Sequence, residues 1–172
     1  MTNDEPSPPP FMWGNLLHLS YNMWSDRDYP DHHEYTVMRD HLRFDRSLWD
    51  DLTQKMADVG MNLLVIDLGD GVAWESHPEI AVEGAWSIDE LKRELTRLRG
   101  LGLEPIPKLN FSTTHDAWLK EYSRMVSTPK YYEVCSHLVE EAVDLFDTPR
   151  LFHLGMDEET AHYQRNFAYV II

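Results

Sequence analysis

Four short, nearly continuous apolar runs alternate along the chain with longer stretches in which apolar residues recur every three or four positions. The first run, Asn15-Leu-Leu-His-Leu-Ser-Tyr-Asn22, is bounded by Gly14 and the polar stretch 25–31, and it predicts a strand. From Arg46 to Val59 the apolar positions Leu48, Trp49, Leu52, Met56 and Val59 fall on one helical face, with Asp45 as N-cap and Gly60 as the glycine that ends the helix. Met61-Asn-Leu-Leu-Val-Ile-Asp-Leu68 then reads as a strand covered on both faces, as parallel sheets require. The alternation repeats. Ser87 and Glu90 form a capping box, Leu91, Leu95 and Leu98 line a helix over 88–99, and Leu103 to Leu109 is a third strand. Thr128 and Pro129 open a long helix through Val134, Leu138, Val139, Ala142, Val143 and Phe146. Thr148 and Pro149 stop it, Leu151-Phe-His-Leu154 forms a fourth strand, and a fourth helix begins near Glu159.

Strand, helix and strand in regular succession predict right-handed crossovers onto a parallel sheet, hence an α/β fold. No Gly-x-Gly-x-x-Gly follows the first strand, which removes the support for a dinucleotide-binding open sheet. The loops after the strands, 69–86 and 110–128, are long, whereas the turns leading into strands are short. That asymmetry predicts a (β/α)8 barrel, in which chemistry sits on the loops after the strands. Four βα units are the front half of such a barrel, since a whole one takes about 250 residues. The expected organisation is a flexible Pro-rich leader over 1–12 and a partial barrel over 13–172. The apolar stretch Phe167-Ala-Tyr-Val-Ile-Ile172 predicts a chain cut short, and the edges of a half-barrel are expected to self-associate.

Composition narrows the partners. Thirty acidic against 15 basic residues give a net charge of −15, a field that repels nucleic-acid and lipid phosphates and suits neutral or cationic small ligands. Residues 1–10 lack the basic and apolar regions of a secretory signal, no apolar run approaches the roughly 20 residues of a membrane span, and a cytoplasmic location is expected. Cys135, the single cysteine, excludes an internal disulfide and a multi-cysteine metal site, and it reads as a small core residue.

Residues able to do chemistry gather where the strands end. After the first strand come His18, Tyr21, Asn22 and Trp24; after the second, Asp67, Asp70, Trp74 and Glu75. After the third come Lys108, Asn110, His115 and Asp116; after the fourth, His153, Asp157, Glu158 and Glu159. Carboxylates, imidazoles and indoles in that mixture suit a sugar, because carboxylates hydrogen-bond hydroxyls and indole faces stack on pyranose rings. Asp67 is expected to be buried with a hydrogen-bond partner, His153 to be a satisfied core histidine, and the pair His32 and His33 to be exposed.

Leu151-Phe-His-Leu-Gly-Met-Asp-Glu158 resembles the strand-four motif of the family 20 glycoside hydrolases, the β-N-acetylhexosaminidases, whose aliphatic-His-aliphatic-Gly-Gly-Asp-Glu run ends in the catalytic pair. Gly102-Leu-Glu-Pro-Ile-Pro107 followed by His115 is similar to that family's third strand, and Leu68-Gly-Asp-Gly-Val-Ala-Trp-Glu75 to its second strand loop. Lys108 stands where the family has Glu, Asn110 where it has Asp, Ser112-Thr-Thr114 replaces a Pro-Gly, and Met156 replaces the second glycine. The resemblance implies substrate-assisted hydrolysis of O-glycosidic bonds. Glu158 would act as general acid and then base, Asp157 would orient the 2-acetamido group, and no cofactor or metal would take part. His115, Asp70, Trp74, Asn110, His18 and Trp24 are the substrate-binding candidates. The alternative reading is that the three acids 157–159 cap a following helix.

Two other readings stay open. His18, Asp67, His115, His153 and Asp157 could hold a divalent ion for metal-dependent hydrolysis, although no His-x-His or His-Glu-x-x-His pair is present. Lys108 and the lost Pro-Gly also fit a carbohydrate-binding module without activity.

Overall fold

The computed structural model describes residues 11–26 and 34–156; the pair Asp157–Glu158, the helix expected from Glu159, and His32–His33 lie outside the described residues. Three parallel strands, β1 (Gly14–His18), β2 (Leu63–Asp67) and β3 (Glu104–Lys108), pair in the order β1-β2-β3. Three helices, α1 (Arg46–Asp58), α2 (Ile88–Gly100) and α3 (Pro129–Leu145), follow them in turn. The described part is therefore a small parallel α/β sheet with helices, a partial form of the expected architecture.

Local chemistry sets the helix ends. The Asp45 carboxylate accepts from the Leu48 amide at 3.0 Å, and Gly60, at φ +88°, takes the left-handed turn beyond the last residue. At α2 the box closes both ways: the Ser87 hydroxyl accepts from the Glu90 amide at 3.3 Å, while the Glu90 carboxylate accepts from the Ser87 amide at 2.8 Å. Thr128 caps α3 in the same manner, accepting from Tyr131 at 3.2 Å.

Leu64, Ile66 and Leu68 are fully buried in a leucine-rich layer with Leu91, Leu95 and Leu98 of α2. The buried face of α1 is narrower than its apolar pattern predicts. Trp49, Thr53 and Met56 are buried, whereas Leu48, Leu52 and Val59 are 56%, 38% and 57% exposed. Trp49 sets that orientation. Its ring meets Trp86 edge-on at 5.8 Å, and its indole N–H donates to Glu94 at 2.7 Å, so the neighbouring leucines turn outward.

The fourth run does not build a full strand. Residues 151–156 lie parallel to β3 through one bridge, Lys108 with His153: the His153 amide donates to the Pro107 carbonyl at 3.0 Å and the Leu109 amide to His153 at 3.1 Å. Even-numbered residues of β3 face β2 with their backbone groups, as the Glu104 amide does in donating to Asn62. The odd-numbered ones face the fourth segment, and two of those are Pro105 and Pro107, which have no N–H to give. The ladder stops for want of donors.

Glu94 joins the first two βα units. Only 5% exposed, it accepts from Trp49, from Arg97 at 2.6 Å and from Arg46 at 3.0 Å. Burial pushes its carboxyl up, but the hydrogen bonds from Arg97 and Trp49 and the arginine charges outweigh that and hold it below its ordinary value. Glu94→Ala is expected to cost about 2–3 kcal/mol in urea unfolding, short of a fully enclosed network because both arginines remain partly in water. A depressed carboxylate stabilises above its unfolded value, so the deficit of the variant should shrink as pH falls below 4.5, and the same titration series checks this.

Candidate functional site at the strand ends

Parallel pairing without slip brings the last residues of the three strands level: His18 pairs with Asp67, and Asp67 with Lys108. All three stand on the sheet face opposite the leucine-rich layer, since side chains alternate and Ile66 and Leu68 point into that layer. Asp67, 2% exposed, meets the Expected requirement for a partner twice over: its Oδ2 lies 3.0 Å from the Lys108 ammonium and 3.1 Å from His18 Nδ1. Lys108 is itself 5% exposed. A lone buried carboxylate would be untenable, and the lysine resolves it.

The loop after β1 carries an aromatic group. Tyr21 lies 5.4 Å from the His18 ring and 6.2 Å from Trp24, and Trp24 meets His115 edge-on at 6.1 Å. Tyr21 is 40% exposed, with the Arg43 guanidinium 5.8 Å from its ring centre. His18, Trp24 and His115 are thus brought together from the first and third loops. Tyr21 belongs to the strand-end cluster read from the sequence but not to the substrate-binding candidates; its exposure beside a histidine becomes visible only once the loop is folded.

Asp70 and Trp74 are placed differently from the expected sugar contacts. Both are fully buried. The indole N–H of Trp74 donates to the Gly69 carbonyl at 3.0 Å, so this ring packs the β2 loop and offers no open face for stacking. Asp70 accepts from the Ser20 hydroxyl and, at 2.9 Å, from the Asn22 amide, which clamps the β1 loop onto the β2 loop. Asn22 carries the clamp on to Arg39, bonding its backbone amide and carbonyl at 2.9 and 2.8 Å.

The β3 loop turns back on itself. Asn110, 1% exposed, accepts from the Ser112 amide at 3.2 Å, and its backbone carbonyl accepts from the Trp118 indole at 2.8 Å. Its side-chain Nδ2 is buried and has no partner among the described residues. His115 is 5% exposed, its Nδ1 3.3 Å from the Thr114 hydroxyl. His153 corrects the expectation of a core histidine: it is exposed, and its Nδ1 accepts from the Gly155 amide at 3.0 Å. The exposure follows from the single bridge, which leaves segment 151–156 at the edge of the sheet. Cys135 is half-buried on α3, and burial pushes its thiol up to about 11.

Among the described residues no group of three histidine, cysteine or acidic side chains is placed to hold a metal ion, and no helix is long and apolar enough to cross a membrane. A second polar cluster, which the sequence did not reveal, sits between the β2 loop and α3. His77 Nε2 and His137 Nδ1 are 3.2 Å apart, His77 Nδ1 is 3.0 Å from Glu79, and Glu79 accepts from the Tyr122 hydroxyl at 2.6 Å. A groove of about 610 Å³ adjoins it, but Glu141 on its wall is occupied, accepting from the amides of Glu75 and Ser76.

Two measurements probe this geometry. Burial pushes the Asp70 carboxyl up to about 6, against the hydrogen bonds from Ser20 and Asn22. The folded state therefore binds that proton more tightly than the unfolded chain, and stability falls as pH rises from 3.8 to about 6. Asp70→Asn lacks this slope, so its stability relative to the parent should improve across the window and level off above it; a difference flat with pH would mean that Asp70 stays charged. At Gly155, φ is +57° and an added Cβ would lie 2.8 Å from the Asn110 Cα. Gly155→Ala should cost about 1–3 kcal/mol and lift the fourth segment from β3, seen as faster hydrogen exchange at the Leu109 and His153 amides.

The sequence matches no protein-family model and no curated protein. Its fold does match solved structures. The N-acetyl-β-hexosaminidase of Streptomyces plicatus, in complex with thio-NAglucal, superposes over 88% of this chain and 34% of its own, with a TM-score of 0.65 and 17% identity. The β-N-acetylhexosaminidase of Bacteroides fragilis covers 85% of this chain and 32% of its own, with a TM-score of 0.57 and 14% identity. The family 20 β-N-acetylhexosaminidase of Streptomyces coelicolor covers 90% and 35%, with a TM-score of 0.58 and 15% identity. The chain thus spans about a third of the length of the structures it matches. At such identities the likeness is one of fold, and in fold this chain is a divergent domain similar to part of the family 20 β-N-acetylhexosaminidases.

Proposed function

We propose that residues 13–172 form four βα units of a (β/α)8-barrel glycoside hydrolase that cleaves O-glycosidic bonds of N-acetylhexosaminides. In this reading Glu158 protonates the glycosidic oxygen and then activates water, while Asp157 orients the 2-acetamido group that attacks the anomeric carbon. Tyr21 and Trp24 supply stacking faces and His18 a polar contact to the sugar, while the buried His115 backs the Trp24 ring and Asn110 holds the β3 loop behind them. One observation carries the proposal: segment 151–156 runs beside β3 in the parallel sense, with Gly155 against Asn110. The described part of that segment thus reaches the same end of the sheet as His18, Asp67 and Lys108, which supports the reading. Adjacent carboxylates also repel, which raises one of them toward the value that an acid catalyst needs.

The buried Asp67–Lys108 pair favours one second reading, a sugar-binding domain without turnover, because a lysine here neutralises a carboxylate beside the site. Hydrolysis of a chromogenic N-acetylglucosaminide separates the two. Glu158→Gln should lower kcat by about 10²–10⁴-fold with an unchanged circular dichroism spectrum. Activity equal to the parent's removes Glu158 from the mechanism, and binding of N-acetylglucosamine with no turnover in the parent selects the second reading.

A further inference from the structure

The row His18–Asp67–Lys108 contains more than a buried ion pair. Both cationic-side partners meet the same oxygen, Asp67 Oδ2: Lys108 Nζ at 3.0 Å and His18 Nδ1 at 3.1 Å. A carboxylate only accepts hydrogen bonds, so the imidazole nitrogen facing it must carry a proton. The ammonium beside it keeps the carboxylate ionised and supplies the matching charge, so nothing in the row calls for a second positive charge on the ring. His18 is 25% exposed, whereas Asp67 and Lys108 are closed off, and His18 Nε2 has no hydrogen-bond partner among the described residues. The groups facing the ring are Asp67 and, through it, Lys108 from the sheet, with Tyr21 and Trp24 from its own loop.

We propose that Asp67, charge-balanced by Lys108, locks His18 as its Nδ1–H tautomer and so presents Nε2 as a hydrogen-bond acceptor for a substrate hydroxyl beside the Tyr21 face. Asp67 and Lys108 are then positioning residues, and His18 is the group that reads the ligand. Free imidazole side chains favour the opposite tautomer, with the proton on Nε2, so the lock leaves a signature. The site it makes selects a neutral O–H donor, such as a ring hydroxyl of an uncharged hexopyranose. Only the identity of that donor rests on the sugar reading above; the proton arrangement does not.

Long-range ¹H–¹⁵N spectra of the histidine rings in the 172-residue chain at pH 7, with His18→Gln for assignment, test it directly. The expected result is a single ring proton on Nδ1 and a bare Nε2. Lys108→Met leaves Asp67 to be balanced by the ring alone, and should put protons on both nitrogens. The charge-neutral double variant Asp67→Asn/Lys108→Met, included because the single one strips a buried carboxylate of its lysine, should release the ring to the Nε2–H form. A parent ring protonated on Nε2, or a ring unmoved in both variants, overturns the lock. Titration with N-acetylglucosamine should move the Nε2 resonance of the parent, and Lys108→Met should bind at least tenfold more weakly. Binding that leaves Nε2 unmoved overturns the acceptor role, whereas no binding at all by the parent, with the Nδ1–H form present, sinks the sugar reading and leaves the lock standing.

Discussion

Parallel pairing with no offset between neighbours is the constraint on which the molecule turns. Side chains alternate along each strand, so a slip of one residue would carry Asp67 into the layer occupied by Ile66 and Leu68 and bring a leucine out in its place. Asp67 would then lie among leucines with no lysine or histidine in reach, and that error is far costlier than a lost hydrogen bond. The apolar layer therefore fixes register from one face, and the Asp67 contacts with His18 and Lys108 fix it from the other. The same register that seats the core aligns the polar residues at the strand ends.

Loops built on such an edge still need to be held. The Asp70 carboxylate does this by joining Ser20 and Asn22 of one loop to its own, and its full burial explains both its strength as a clamp and its reluctance to ionise. Farther along, Pro105 and Pro107 remove the donors that a full fourth strand would need, so segment 151–156 is held by one bridge and by the close seating of Gly155 on Asn110. β1 to β3 thus pair along their full length, whereas segment 151–156 meets β3 at a single bridge.

How far the sequence could be read depended on the range of the interaction concerned. Helix starts were legible because capping is local: Asp45, Ser87 with Glu90, and Thr128 act within three residues. Strand ends were not, because the apolar run from Asn15 to Asn22 continues through Leu19, which is buried but lies in the loop. Trp74 looked like a stacking surface on residue type alone, and only its packing shows it to be part of the core. The Asp67–Lys108 pair joins positions 41 apart (108 minus 67), which no pattern within one run could connect, and neither position betrays its partner until the register is known. Leu48, Leu52 and Val59 are the converse case, an apolar stripe of correct helical period that the described residues leave in water.

These contacts also explain how so acidic a chain can keep a mouth that a neutral ligand could enter. A net charge of −15 would make any further carboxylate at the strand ends expensive if the ones already there were bare. They are not. Lys108 neutralises Asp67, and Asp70, which burial keeps protonated only up to about 6, is held above that pH by the Ser20 hydroxyl and the Asn22 amide. The Asp67–Lys108 pair therefore adds no net charge to the strand ends. Replacing Lys108 changes that balance at its root, because the charge it cancels has no other full counter-charge within the row.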